Sequence, residues 1–278
     1  MKLTFLGTGT STGVPTIGFQ CEVCQSTDPH DKRLRCSVLV ETETTRLLVD
    51  CGPDFRQQIM PQPFRRIDAI LITHSHYDHI GGMDDIRPYC QFGEINVYAD
   101  PHSCEEMLQM LPYCFAEHRY PGVPAIGLHE ILPHQPLRFG DIDVMPIEVM
   151  HGQLPILGYV FTPHHSPVDV DVDVNVNTHH SIAYITDMKT IGDAELSYLE
   201  GIEILVVNAL RFTDPHHSHQ LVDDAIRFAR RVGPMRTLLI HSSHHIGRHE
   251  DVNRLLPQGF EMAYDGQVIE AACGLNDN

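Results

Sequence analysis

The segment Thr73–His79, THSHYDH, constrains this chain more than any other stretch. It places three imidazoles and one carboxylate within six positions, directly behind the apolar run Ile67–Thr73 (IDAILIT). In extended backbone His74 and His76 point to one side. A turn then brings Asp78 and His79 back toward them, and Gly81-Gly82 follows. Imidazole and carboxylate together suit a borderline cation such as Zn²⁺, Mn²⁺ or Fe²⁺. Four such side chains are too many for one ion that keeps a position open to water. The cluster therefore predicts two adjacent ions and further ligands from elsewhere in the chain.

Three more strand-length runs end at residues of the same kind. Val144–Met150 runs into His151, Ser181–Thr186 into Asp187 and Arg236–Ile240 into His241. Sites in layered α/β folds gather at strand ends, so these three are the natural suppliers. Glu203–Val207 reads as another strand, followed by Asn208-Ala209-Leu210 and the loop Asp214-Pro215-His216-His217-Ser218-His219. Helices are fewer. Gly82–Tyr89 and Cys104–Leu111 are candidates, and His219–Val232 has apolar residues at helical spacing with Gly233-Pro234 as its stop. More strands than helices, interleaved, predicts sheets packed as a sandwich with helices outside. No Gly/Ser-rich linker divides residues 1–278, which predicts a single domain. Val168–Asn177 (VDVDVDVNVN) alternates with period two, as an exposed ribbon does. It departs from a calcium loop, with Val174 where glycine is needed and His180 in place of glutamate.

Charge narrows the partners. Basic residues number 19 against 37 acidic, a net of −18. That argues against a long nucleic-acid interface, which needs clustered Lys and Arg. A small phosphate ligand held by cations remains compatible with it. No run is long and apolar enough for a membrane span, and the N-terminus lacks a secretory pattern, so the expected location is cytoplasmic. Eight cysteines then read as thiols or metal ligands more readily than as disulfides. Gly7–Gly13 (GTGTSTG) does not fit a dinucleotide fingerprint and reads as a tight loop lining the site. Asp50 in LLVDCG suits a carboxylate that accepts from a ligand histidine, or a plain turn residue. Arg87 suits either a phosphate donor or a surface ion pair.

HSHYDH resembles the H-x-H-x-D-H signature of the metallo-β-lactamase superfamily, and His151, Asp187 and His241 follow in the order of that family's remaining ligands. The similarity runs from LTFLGTGTSTGVP to HSSHH and YDGQVIE. The segments GVPTIG, DPHDKRLRCSVLVE, DCGPDFRQQ and GGMDDIRPY resemble its phosphodiesterase branch, in particular the phosphoribosyl cyclic phosphate phosphodiesterases. The resemblance implies an α/β fold, a four-layer αββα sandwich with a dinuclear site at one edge. It implies His74, His76 and His151 on one divalent ion, Asp78, His79 and His241 on the other, and Asp187 between them, with Mn²⁺ or Zn²⁺ as the metals. Two such ions about 3.5–4 Å apart hold a bridging hydroxide for in-line attack on phosphorus.

The implied activity is phosphodiester hydrolysis of a small cyclic or nucleotide-like substrate. Asp78 serves in catalysis as well as binding, and His219 maps to the general acid. Histidine suits that task, with an ordinary pKa of about 6.5. The same residue also reads as a cap on the helix behind it. An RNA 3′-processing nuclease, a thioester or lactone hydrolase and a non-catalytic metal-binding sensor remain alternatives on the same ligands, and the family leaves room for a homodimer. Related enzymes carry a structural zinc on C-x-C-x-x-C plus a histidine. Here Cys21, Cys24 and His244 stand in those places, but Phe19 replaces the first cysteine. Structural zinc wants four ligands. A zinc site completed by Cys36, a redox pair and two unlinked thiols all stay open.

Overall fold

Strands with apolar residues on both faces must be covered on both sides, and that requirement organises this chain. The computed structural model describes residues 1–164 and 180–271; the expected ribbon Val168–Asn177 lies outside them. In the first sheet β1 (Lys2–Gly7), β2 (Ser37–Glu41), β3 (Arg46–Val49), β4 (Ala69–Leu71), β5 (Ile95–Ala99) and β6 (Ile126–Glu130) lie side by side in chain order. The second sheet is built from β7 (Leu137–Phe139), β8 (Ile142–His151), β9 (Leu154–Pro163), β10 (Ile182–Ile185), β11 (Thr190–Ile191), β12 (Ile204–Asn208), β13 (Arg236–Ile240) and β14 (Phe260–Met262). Its order is β11-β8-β9-β10-β12-β13-β14, with β7 against the outside of β8's hairpin. The last strand, β15 (Val268–Glu270), returns to pair with β1 in the first sheet.

Alternation along the strands sorts side chains between layers. Phe5, Val38, Val49 and Leu71 of the first sheet meet Leu157, Tyr159, Tyr184, Val206 and Ile240 of the second in one buried core. Leu39, Leu48 and Ile70 face the opposite way, onto α1 (Phe55–Ile59) and α2 (Pro101–Met110) through Phe55, Cys104 and Met107. Leu205, Val207 and Leu239 pack on Ala225 and Phe228 of α3 (Val222–Val232) and Val252 of α4 (His249–Leu255). The layers are therefore helix, sheet, sheet, helix: a four-layer αββα sandwich. No described helix is long and apolar enough to cross a membrane.

Some boundaries differ from expectation, each for a local reason. The run before His74 is strand only over Ala69–Leu71, because the Thr73 N–H leaves the ladder for the Asp50 carboxylate, at 2.8 Å. Met83–Phe92 is a 3-10 segment, with Pro88 inside it lacking the N–H that an α-helix needs. Helix α3 starts at Val222, with Leu221 as N-cap, so His219 stands free of it and is not a cap.

The glycine loop and the C-terminal turn are tied by a buried carboxylate. Asp265 accepts from the Leu34 N–H at 2.6 Å and the Thr8 hydroxyl at 2.8 Å. Burial lifts its pKa to about 6, and these donors and Arg33 offset burial only in part. A carboxyl raised in the folded state stabilises it when protonated. That contribution is complete below the unfolded value and is lost as pH climbs through the folded one. A rise of this size corresponds to about 3 kcal/mol. Urea unfolding from about pH 4 to about pH 7 should therefore show wild type losing ground to Asp265→Asn by up to that amount; parallel pH profiles would contradict it.

Candidate metal centre

Parallel strands bring their C-terminal tips to the same edge. β3 and β4 are parallel in one sheet, and β10, β12 and β13 in the other. Asp50 follows β3, and the THSHYDH segment follows β4. His151 ends β8, Asp187 stands two residues past β10 and His241 follows β13. Asp50, Asp187 and His241 have φ of 61°, 56° and 55°, the left-handed region that residues with side chains seldom adopt. Such strain persists where the surroundings over-determine it, and it concentrates at functional sites. Asn208, at the tip of β12, braces the Asp187 turn: it accepts from Met188 N–H at 2.8 Å and donates to Met188 O at 3.0 Å. The short helix Tyr77–Ile80 is clamped to Cys51, whose N–H reaches His79 O at 2.7 Å. Gly52 and Gly82 are needed there, because a Cβ on Gly52 would strike the Asp78 carbonyl and one on Gly82 the Gly52 carbonyl.

The tips assemble two donor groups. Ring nitrogens of His74, His76 and His151 lie within 4.8 Å of one another, as do donor atoms of Asp78, His79, Asp187 and His241. Asp187 also falls in a third group with His151 and His219. Its Oδ1 is 3.0 Å from His241 Nε2 and its Oδ2 is 3.3 Å from His79 Nε2. Asp78 Oδ2 stands 3.2 Å from His79 Nε2 and 3.8 Å from His241 Nε2. All seven are buried except His76, which is exposed.

Hydrogen bonds behind the cluster fix which nitrogens face it. His79 Nδ1–H donates to Asp50 Oδ2 at 2.7 Å, so its Nε2 lone pair faces Asp78 and Asp187. The Thr73 hydroxyl donates to Asp50 Oδ2 at 2.9 Å, which leaves it to accept from His74 Nδ1–H at 3.0 Å. His74 Nε2 is thereby turned inward. His151 Nδ1–H donates to the carbonyls of Asp187 at 2.7 Å and Ser218 at 3.0 Å, freeing its Nε2. Asp50 thus accepts from one candidate ligand directly and orients a second through Thr73, as second-layer carboxylates do in metal sites. The Thr73 relay is not visible in the sequence beyond its position next to His74.

The electrostatics have one reading. His79 Nε2 and His241 Nε2 are buried and have no hydrogen-bond partner, although carboxylates surround them. Burial would lower both imidazoles, but Asp50, Asp78 and Asp187 outweigh it at His79, and Asp187 and Asp78 raise His241 to about 9. Asp187 is driven the other way: burial would raise it, and His241 and His79 hold it well below the carboxylate range. A proton here takes the place of positive charge that the lone pairs and carboxylates jointly demand. Imidazole nitrogens and carboxylate oxygens without other partners are the donor set of a divalent cation.

His219 stands over this cluster. Its ring centroid is 4.7 Å from those of His151 and His241, and Nδ1 is 3.6 Å from Asp187 Oδ1. Burial first, then the charge on His241, push it down to about 2. A cation on that lone pair would keep positive charge beside His219, with Asp187 as the opposing influence.

Two sequence expectations fare otherwise. Arg87 is an exposed residue that donates to Asp84 at 2.6 Å, which makes it a surface ion pair and not part of the cluster. Cys21, Cys24 and His244 do not form a group of mutually close ligand atoms among the described residues. Phe19 packs its ring 4.4 Å from that of His244, and Thr16 holds His244 Nδ1 at 3.0 Å. Cys36 lies elsewhere, beneath the main cluster against the His241 backbone and Thr186.

Residues 45–242 match the model of the Beta-lactamase superfamily domain. A Porphyromonas gingivalis protein named octanoyltransferase is 40% identical over 267 residues, 96% of this chain and 51% of that protein. Ribonuclease Z of Bradyrhizobium sp. is 29% identical over 166 residues, 58% of this chain and 49% of the enzyme. The chain thus spans about half the length of the curated relatives it matches. The crystal structure of a new diphosphatase from the PhnP family superposes with a TM-score of 0.83 at 36% identity, covering 97% of this chain and 96% of that one.

Proposed function

Because this chain belongs to the metallo-β-lactamase superfamily, we propose that it hydrolyses phosphodiester or related phosphoryl bonds of a small cyclic or nucleotide-like substrate. One observation carries this reading: Asp187 is grouped with Asp78, His79 and His241 on one side and with His151 and His219 on the other. His74, His76 and His151 would hold one divalent ion, Asp78, His79 and His241 the other, and Asp187 would serve both; Mn²⁺ and Zn²⁺ suit these donors. Such a pair supplies Lewis acidity and water activated at neutral pH. The protein does the rest. Asp50 and Thr73 fix the tautomers of His79 and His74, so that lone pairs face inward without reorganisation. His219 protonates the departing oxygen, held in place by Lys189 Nζ on its carbonyl at 3.1 Å.

The Ribonuclease Z and diphosphatase relatives support phosphoryl chemistry. The octanoyltransferase named in P. gingivalis favours a second reading, hydrolysis of an acyl thioester. The test is turnover on a panel of bis(4-nitrophenyl) phosphate, a 2′,3′-cyclic nucleotide and an octanoyl thioester, with Mn²⁺ and with Zn²⁺. Phosphodiesters are expected to exceed the thioester in kcat/KM by at least about a hundredfold. A thioester preference of that size would establish the second reading, and no turnover on any member would leave a metal-binding sensor.

A further inference from the structure

We propose that His216 is a neutral imidazole locked in one tautomer, whose Nε2–H binds a phosphoryl oxygen of the substrate, with Lys189 and Arg211 supplying the charge behind it. This rests on the phosphoryl-transfer reading above and adds a substrate-binding side to that site.

The tautomer follows from donors. The Ser218 backbone N–H lies 3.3 Å from His216 Nδ1, and the Ser218 hydroxyl lies 3.2 Å from it. A backbone N–H can only donate, so Nδ1 accepts and a neutral ring carries its proton on Nε2. That Nε2–H has no protein partner among the described residues, and the ring is half-buried. Its centroid is 4.8 Å from that of His219. Burial first, then His217, Arg211, His151 and Lys189, hold the imidazole below its ordinary value. His216 therefore brings a donor and no charge.

The loop that carries it is fixed from three sides. His151 Nδ1–H grips the Ser218 carbonyl at 3.0 Å, Lys189 Nζ the His219 carbonyl at 3.1 Å and Arg211 Nε the Asp214 carbonyl at 3.0 Å. Lys189 and Arg211 spend those bonds on carbonyls. Neither has a carboxylate within ion-pair distance among the described residues, in a chain with 37 acidic residues against 19 basic. Two uncompensated cationic side chains beside an N–H donor, next to the His/Asp donor cluster, match a group with several charged oxygens. A phosphoryl group is such a ligand, while a thioester carbonyl offers one oxygen and no charge to balance them.

The experiment uses metal-loaded protein and inorganic phosphate as the probe. His216→Ala is expected to weaken phosphate binding by calorimetry about tenfold, one hydrogen bond's worth, while His216→Gln, which restores an N–H, stays within about threefold of wild type. Metal content should be unchanged in both. Nitrogen-15 NMR of the wild-type protein near neutral pH should show the Nε2–H form of His216, a result independent of how either variant folds. Phosphate binding indifferent to His216, or an Nδ1–H tautomer, would overturn the proposal while phosphodiester turnover stood. Phosphate binding that depends on His216 in a protein that cleaves no phosphodiester would support this anion site and refute the reading beneath it.

Discussion

Replacing Asp187 with alanine is expected to remove at least one divalent ion per chain and to lower phosphodiester turnover by well over about a hundredfold. Losing a mere supporting residue behind a metal ligand already costs 10- to 100-fold, and Asp187 belongs to two of the three donor groups. Its carboxylate lies 3.0 Å from His241 and 3.3 Å from His79, so its removal also takes away the nearer of the two carboxylates that His241 shares with His79. Elemental analysis of dialysed protein checks the first part, and kinetics with saturating Mn²⁺ the second. Two ions retained per chain would refute the shared role. The turn itself should survive, because Asn208 holds Met188 by two hydrogen bonds that do not involve the Asp187 side chain.

The second large effect is selective. His219→Ala should keep both ions, because the two main donor groups are complete without it. Substrates with poor leaving groups should slow by about 10²- to 10⁴-fold, the usual worth of a general acid, while a 4-nitrophenyl ester, whose leaving oxygen needs no proton, should change little. Equal damage to both substrates would mean that His219 positions the substrate and does not protonate it. Loss of an ion would instead make it a ligand, an outcome made concrete by its grouping with His151 and Asp187.

Much of this cluster was legible in the sequence because strand tips leave a pattern: an apolar run of strand length, then His or Asp. The runs before His151, Asp187 and His241 are strands in the structure. What supports the cluster was less legible. The Thr73 hydroxyl and the Asn208 brace act through a few hydrogen bonds between segments 20 or more residues apart, and nothing in local periodicity encodes a partner. His219 read as an acid first and as a helix cap second, and the structure placed the cap at Leu221. At the cysteine segment the Cys21 thiol reaches that of Cys24, while Phe19 packs its ring against His244, a contact that spacing alone does not encode. Arg87 offered its guanidinium to either phosphate or carboxylate, and its neighbour Asp84 was near enough to decide.

The centre draws His74, His76, Asp78 and His79 from one sheet and His151, Asp187 and His241 from the other. As the chain leaves the ribosome, the first set emerges more than 150 residues before the final histidine can join it. Early segments alone offer only part of the donor set, and both groups are complete only once the two sheets have docked, so a divalent ion binding there would favour the assembled fold.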